Sequence, residues 1–181
     1  MPKFSKGDKG INFTFATPWE QGKDFFAETV GKQTLLFFLR YYGCTACQLE
    51  MHLLKENYAR FKDAAVDVYV VLQSEAETIR NEANREAVPF TIIADPRQEL
   101  YALHVIGSRD PSVERTSEHR AKMEKAKALG LAHGAYEGNE YQLPAVFLYG
   151  PDHTIRYAYY GKESSDIPDY EMLLRIAAED L

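Results

Sequence analysis

The chain's two cysteines stand three positions apart in the stretch Arg40-Tyr41-Tyr42-Gly43-Cys44-Thr45-Ala46-Cys47. Two thiols at this spacing can cycle between a dithiol and a disulfide, which is two-electron redox chemistry. Other uses fit less well. A structural disulfide closing so short a loop removes little entropy from the unfolded chain. A zinc site needs two more ligands, but there is no second C-x-x-C, and His52 falls off the face of Cys47 on a helix. Gln48 follows the motif where a c-type haem site needs His. Two inert buried thiols remain as the bland alternative. The expected chemistry is thiol–disulfide exchange with Cys44 and Cys47 as catalytic residues, without metal or cofactor.

The flanking pattern says what must hold the pair. The apolar run Leu35-Leu36-Phe37-Phe38-Leu39 leads in, as a strand buried on both faces. Leading out, Cys47, Met51, Leu54, Tyr58, Phe61 and Ala65 recur at steps of three and four, one face of a helix. The dithiol is thus expected at a strand-to-helix turn. Unpaired N–H groups at a helix start favour negative charge, so a thiolate there is stabilised. Cys47 begins the buried stripe, whereas Cys44 lies at the open end and is expected to be the exposed sulfur that attacks a bulky disulfide; a small peroxide needs less room and could reach Cys47. Arg40 either stabilises that thiolate or is an ordinary charge at a strand end. Tyr41 and Tyr42 either shape the entrance or pack. Thr45 lies between the cysteines as a supporting residue.

Composition bounds the remaining possibilities. A chain of 181 residues, 45% of them apolar, suits one globular domain with a sizeable core. A net charge of −6 argues against general nucleic-acid binding. Apolar runs are far too short to span a membrane, and the opening residues carry no signal-peptide pattern. The expected location is the cytoplasm, where disulfides are catalytic or transient.

Taken in order, Phe4 to Phe15 reads as a short strand or arm, and Trp19 to Val30 as a loop with a second strand, Trp19 being a core anchor. A central strand over Thr34–Arg40 is followed by a helix over about Cys44–Ala65. Val66–Gln73 is a second buried strand. Ser74 and Glu77 form a capping box for a helix running to about Ala87. Phe90–Ala94 is a strand, after which Asp95 caps and Pro96 occupies the first helical position, with Leu100 and Leu103 inward. This alternation implies parallel strands with crossover helices. Residues 107–141 break the rhythm as a polar insertion with one helix, about Ser117–Leu129. The helix's basic face is expected to be solvated; the sharper reading is a cover over the dithiol or a docking patch. Ala145–Tyr149 and Thr154–Tyr160 flank a turn and form a hairpin. Asp166 or Ser165 caps a last helix over about Pro168–Glu179.

In this order the stretches resemble the thioredoxin superfamily, and more closely its peroxiredoxin-like (alkyl hydroperoxide reductase/thiol-specific antioxidant) members. The resemblance is carried by Gly7-Asp8-Lys9 with Asn12-Phe13-Thr14-Phe15, by Cys44-Thr45-Ala46-Cys47, by Ala94-Asp95-Pro96 with Leu100-Tyr101, and by Leu143-Pro144-Ala145-Val146-Phe147 with Gly150-Pro151-Asp152 and Ile155-Arg156-Tyr157. It implies an α/β, thioredoxin-like fold: a central mixed sheet flanked by helices on both faces, an N-terminal extension, and the 107–141 insertion before the closing hairpin. Pro144 stands where thioredoxins carry a cis-proline that presents neighbouring backbone to substrate. Placing Cys47 at the family's peroxidatic position puts Cys44 at its Thr and Arg40 at its Pro. No Arg lies between Arg120 and Arg156, where the family has its second active-site Arg. The resemblance implies an antioxidant oxidoreductase that forms a Cys44–Cys47 disulfide while reducing a peroxide or a protein disulfide. An external thiol donor such as the thioredoxin or glutathione system would restore it, and a homodimer is a compatible assembly. Peroxide reductase, thioredoxin-like disulfide reductase and redox-sensing binding module all stay open.

Overall fold

The computed structural model describes residues 2–83 and 88–179. Its centre is a five-stranded sheet in the order β5-β4-β3-β6-β7, formed by β3 (Gln33–Phe38), β4 (Val66–Leu72), β5 (Thr91–Ala94), β6 (Ala145–Tyr149) and β7 (Ile155–Tyr160). β3, β4 and β5 run parallel, and β6 is antiparallel to both β3 and β7. The sheet is therefore mixed. A two-stranded ribbon, β1 (Thr14–Phe15) with β2 (Lys23–Asp24), precedes it.

Helices cover both faces, which is why the central strands are apolar throughout. On one face Leu35, Phe37 and Leu39 pack with Leu54 and Phe61 of α2 (Thr45–Asp63) and Leu173 of α6 (Tyr170–Glu179). On the other, Leu36 and Phe38 meet Phe25 of α1 (Phe25–Thr29) and Tyr101 of α4 (Glu99–Leu103), together with Phe147 and Tyr149. No helix among the described residues is long and apolar enough to cross a membrane.

Several expectations are corrected. The stretch from Phe4 forms a strand only at Thr14–Phe15. Residues 25–29 form a helix, because the Asp24 carboxylate accepts from the Ala27 N–H (2.9 Å) and caps it. Trp19 is half-buried: Thr17 Oγ1 accepts from the N–H of Trp19 (3.2 Å) and Glu20 (2.9 Å), and this turn holds the indole at the rim of a cleft with Tyr69 and Phe90. Ser74 does not cap α3 (Ala76–Glu82); its hydroxyl is taken by the Tyr42 N–H at 2.8 Å, and Glu75 stands at the cap without a side-chain bond. α3 ends at Glu82, and the remainder of its expected length, 84–87, lies outside the described residues. Asp95 accepts from Glu99 N (3.1 Å) and Leu100 N (2.8 Å), so α4 starts at Glu99 and Pro96 lies in the turn before it. Asp169, not Asp166 or Ser165, caps α6 through the Glu171 N–H (2.9 Å), since Asp166 is engaged by Tyr159 Oη (2.7 Å) and Lys162 N (2.7 Å).

The insertion helix α5 (Ser117–Ala128) packs on α2. Its basic residues divide. Arg120, Lys125 and Lys127 are exposed, as expected of a solvated face. Lys122 and His119 turn inward: Lys122 Nζ reaches the buried Glu50 carboxylate of α2 (2.9 Å) and the Ser165 carbonyl (2.5 Å), and His119 Nδ1 meets Ser165 Oγ (2.8 Å). Pairing with Glu50 supplies the anchorage that the helix's sparse apolar residues do not.

Candidate active site

The parallel ladder continues past the formal end of β3. Leu39 N donates to Val71 O (3.1 Å) and Gln73 N donates to Arg40 O (2.6 Å). Tyr101 Oη, fully buried, donates to Leu39 O at 2.6 Å. These bonds fix the backbone of Leu39 and Arg40 before the chain turns. The turn closes with Cys44 N donating to Tyr41 O (3.2 Å), and α2 begins at Thr45.

Cys44 is the N-cap of α2. Its backbone is extended, and its sulfur accepts from the Cys47 N–H at 3.4 Å, the role that Ser or Asp usually fills. A second donor arrives from upstream, Arg40 Nη2, at 2.9 Å from Cys44 Sγ. The Arg40 backbone N–H donates to Cys47 Sγ at 3.2 Å. One residue at the end of β3 therefore touches both sulfurs, and both cysteines have 0% exposure.

This environment separates the two thiols. Cys44 is drawn down to about 6, first by the hydrogen bond from the Cys47 thiol; burial opposes this, while the Arg40 charge and the Cys47 N–H assist it. Cys47 is pushed well above the ordinary thiol range by its burial, then by sharing its proton with Cys44 and by the Cys44 charge. The two shifts run in opposite directions, toward the thiolate at Cys44 and toward the thiol at Cys47. Burial works against the guanidinium charge of Arg40, but the two sulfurs outweigh it and Arg40 stays cationic.

The expectation of an exposed Cys44 is corrected: the far end of the insertion lies over the turn. Gly134 N donates to Gly43 O (2.8 Å), and Gln48 Nε2 donates to Ala132 O (2.8 Å) and Gly43 O (3.1 Å). Tyr41 Oη meets His133 Nε2 at 3.0 Å, and the Tyr136 ring stacks on His133 at 4.1 Å. Asn139 N donates to Gln73 Oε1 (2.7 Å), and Arg40 Nη1 donates to the Glu140 carbonyl.

The structure thus brings Arg40, Cys44 and Cys47 together. Tyr42 flanks them, half-buried, with its hydroxyl 3.4 Å from the Glu82 carbonyl, and Thr45 opens the helix, also half-buried. Pro144 is buried one residue before β6, whose Ala145 pairs with Phe38. No peptide among the described residues is cis, and the backbone beside Pro144 bonds internally, Leu143 N to Gly107 O (3.1 Å) and Gly161 N to Pro144 O (2.9 Å). The parts played by Gln48, Gln73, His133 and Glu140 are not announced in the sequence. For His133 and Glu140 the one signal is the long unpatterned run between α5 and β6, since such loops in compact folds are commonly functional; Gln48 and Gln73 carry none. Among the described residues no three His, Cys, Asp or Glu side chains converge to hold a metal ion.

The profile of the AhpC/TSA family matches residues 7–158. No curated protein matches the sequence. Among solved structures, the chain is similar to a cysteine-to-serine mutant of the peroxiredoxin 6 of Arenicola marina (18% identity, 96% of this chain and 72% of that one, TM-score 0.68). It is similar to peroxidoxin BcpB from Mycobacterium tuberculosis (11% identity, 96% of each chain, TM-score 0.70). It is also similar to a peroxiredoxin-like protein from Aquifex aeolicus (16% identity, 100% and 90%, TM-score 0.65). At these identities the likeness is one of fold.

Proposed function

Because the chain belongs to the AhpC/TSA family, we propose that Cys44 and Cys47 carry its thiol-dependent redox reaction, Cys44 attacking and Cys47 resolving. The observation that carries this assignment is the Arg40 Nη2 contact, 2.9 Å from Cys44 Sγ, at the capped start of α2. A sulfur so placed is a thiolate near neutral pH, and the thiolate is the nucleophile.

With a peroxide, the Cys44 thiolate attacks one oxygen and the O–O bond breaks. The alkoxide or hydroxide leaves and is protonated, and Cys44 becomes a sulfenic acid. Cys47 then gives up its proton and attacks the Cys44 sulfur. Water leaves and a Cys44–Cys47 disulfide forms, the pair having lost two electrons and two protons in the cycle. An external thiol donor, of the thioredoxin or glutathione type, returns both. Zero exposure of the sulfurs favours a peroxide over a folded protein disulfide as the oxidant. Arg40 positions and charges Cys44; Tyr42 and Thr45 support the turn; Pro144 supports the strand entry beside it. We place residues 1–181 in one domain with 107–141 inserted, working in the reducing cytoplasm, where a reversible dithiol is maintained.

The test is chemical trapping. With Cys47→Ser, one equivalent of hydrogen peroxide should leave a sulfenic acid on Cys44, seen as a single dimedone adduct by mass spectrometry. Cys44→Ser should give none. An adduct on Cys47 in Cys44→Ser, and none on Cys44, would reverse the roles.

A further inference from the structure

Residues 132–140 close the site without belonging to the core. Ala132 to Tyr136 and Gly138 are exposed, and none of the nine residues is buried. The segment is held by the bonds to Gly43, Gln48, Tyr41, Gln73 and Arg40 described above, by the Arg40–Glu140 ion pair (3.8 Å), and by exposed bonds from Glu75 N to Glu137 Oε1 (3.1 Å) and from Asn139 Nδ2 to Ser108 Oγ (2.7 Å). It also sits directly on main chain: a Cβ on Gly134 would lie 3.1 Å from the Gly43 Cα. Conversely, a Cβ on Gly43 would fall 2.5 Å from the Ala135 carbonyl oxygen and 2.8 Å from its nitrogen. The ends are anchored to neighbouring backbone. Leu131 N donates to Ala126 O of α5 (3.0 Å), Arg109 N donates to Tyr141 O (2.7 Å), and Gly130 supplies a left-handed bend (φ 73°) where the segment leaves α5.

A segment none of whose residues is buried, tied by partly buried and exposed hydrogen bonds rather than by apolar packing in the core, belongs to the less stable part of a fold and opens locally without global unfolding. Both sulfurs are covered while it is closed. We propose that residues 132–140 are a gate over Cys44 that selects substrates by size: small oxidants enter through slight opening, and bulky ones wait for the segment to detach from Gly43. This rests on Cys44 being the reacting sulfur, as proposed above.

Gly43 provides a clean probe. Its φ is not left-handed, so alanine suits its own backbone, and the three atoms nearest the added methyl are backbone atoms of Gly134 and Ala135 in the segment. Gln48→Ala removes the tie to Ala132 O, and the Gln48 bond to the turn at Gly43 O, without touching either sulfur. The experiment measures alkylation of the reduced protein by iodoacetamide and by a polyethylene-glycol maleimide, each rate normalised to the urea-unfolded chain. In the natural protein the bulky reagent should be suppressed at least tenfold more than the small one. Gly43→Ala or Gln48→Ala should raise the bulky rate about tenfold, with the iodoacetamide rate and its pH midpoint nearly unchanged. A rise in either variant supports the gate, so a misfolded Gly43→Ala leaves Gln48→Ala to decide. Equal suppression of both reagents in the natural protein, or no rise in either variant, overturns it. Peroxide turnover is assayed separately. Loss of turnover with the alkylation pattern intact speaks against the redox reading alone, and turnover with no size selection speaks against the gate alone.

Discussion

Arg40 Nη2 lies 2.9 Å from Cys44 Sγ, and the same guanidinium donates through Nη1 to the Glu140 carbonyl. One cation thus joins the sulfur proposed to react to the segment that covers it. Arg40 is itself buried and held by the backbone bond from Gln73, so its position owes little to its own side-chain freedom.

Replacing Arg40 by Met should raise the Cys44 pKa and slow peroxide reduction at neutral pH by roughly 10- to 100-fold, as expected for a charge-assisted hydrogen bond of roughly 1.5–3 kcal/mol. Arg40→Lys should recover part of the pKa shift but less of the rate, because an ammonium cannot reach Cys44 and Glu140 at once. Alkylation against pH and kcat/KM with hydrogen peroxide measure the two effects separately.

Alkylation of the natural protein should follow a single midpoint of about 6. Cys47→Ala removes the largest cause of that depression and should move the midpoint upward. The same shift makes folding pH-dependent. Since the folded-state value lies below the free thiol's, about 8.5, the Cys44 contribution is complete above that pH and fades as pH falls through about 6. In urea unfolding, the advantage of the natural protein over Cys44→Ala should therefore be larger at about pH 8.5 than at about pH 5. An advantage that is equal at both would show that Cys44 is not depressed in the folded state.

Mild oxidation should remove two protons from the monomer mass, and a dithiol reductant should restore them. The motive is the C-x-x-C spacing across the start of α2, with Arg40 touching both sulfurs, so that a modest adjustment forms the bond. Disulfide-linked dimers as the main product would contradict it.

Lys122→Met should destabilise the fold by roughly 1–3 kcal/mol, less than a fully buried pair would lose because Lys122 is partly exposed. Glu50 is left buried without its main counter-charge. Burial already raises its pKa, so its stabilising contribution is present at low pH and lost as pH rises. The penalty should accordingly be greater at about pH 8 than at about pH 5, measured by urea unfolding of both proteins.

The sequence by itself determined the sheet, the long helix and the dithiol at their junction. Leu35 to Leu39 are apolar without alternation over a length that suits a strand covered on both faces, and the stripe from Cys47 to Phe61 has one helical period. Such signals are local and periodic, so they survive without knowledge of neighbours. Capping was legible only in kind: Ser74, Asp95 and Asp166 have the right chemistry, but which N–H each meets depends on where other parts of the chain pass. Ser74 is claimed by Tyr42 and Asp166 by Tyr159.

What only the tertiary structure decided is the state of the two sulfurs. Helix position alone left Cys44 open to solvent. A segment about ninety residues downstream, with no periodic pattern to announce it, lays its backbone on Gly43 and buries the pair. Whether Arg40 was a surface charge or a partner of Cys44 likewise turned on the distant contacts of Gln73, Tyr101 and Glu140. These hold by single hydrogen bonds between residues far apart in the chain. Such bonds depend on the path of the folded chain, and they leave no spacing in the sequence from which to read them.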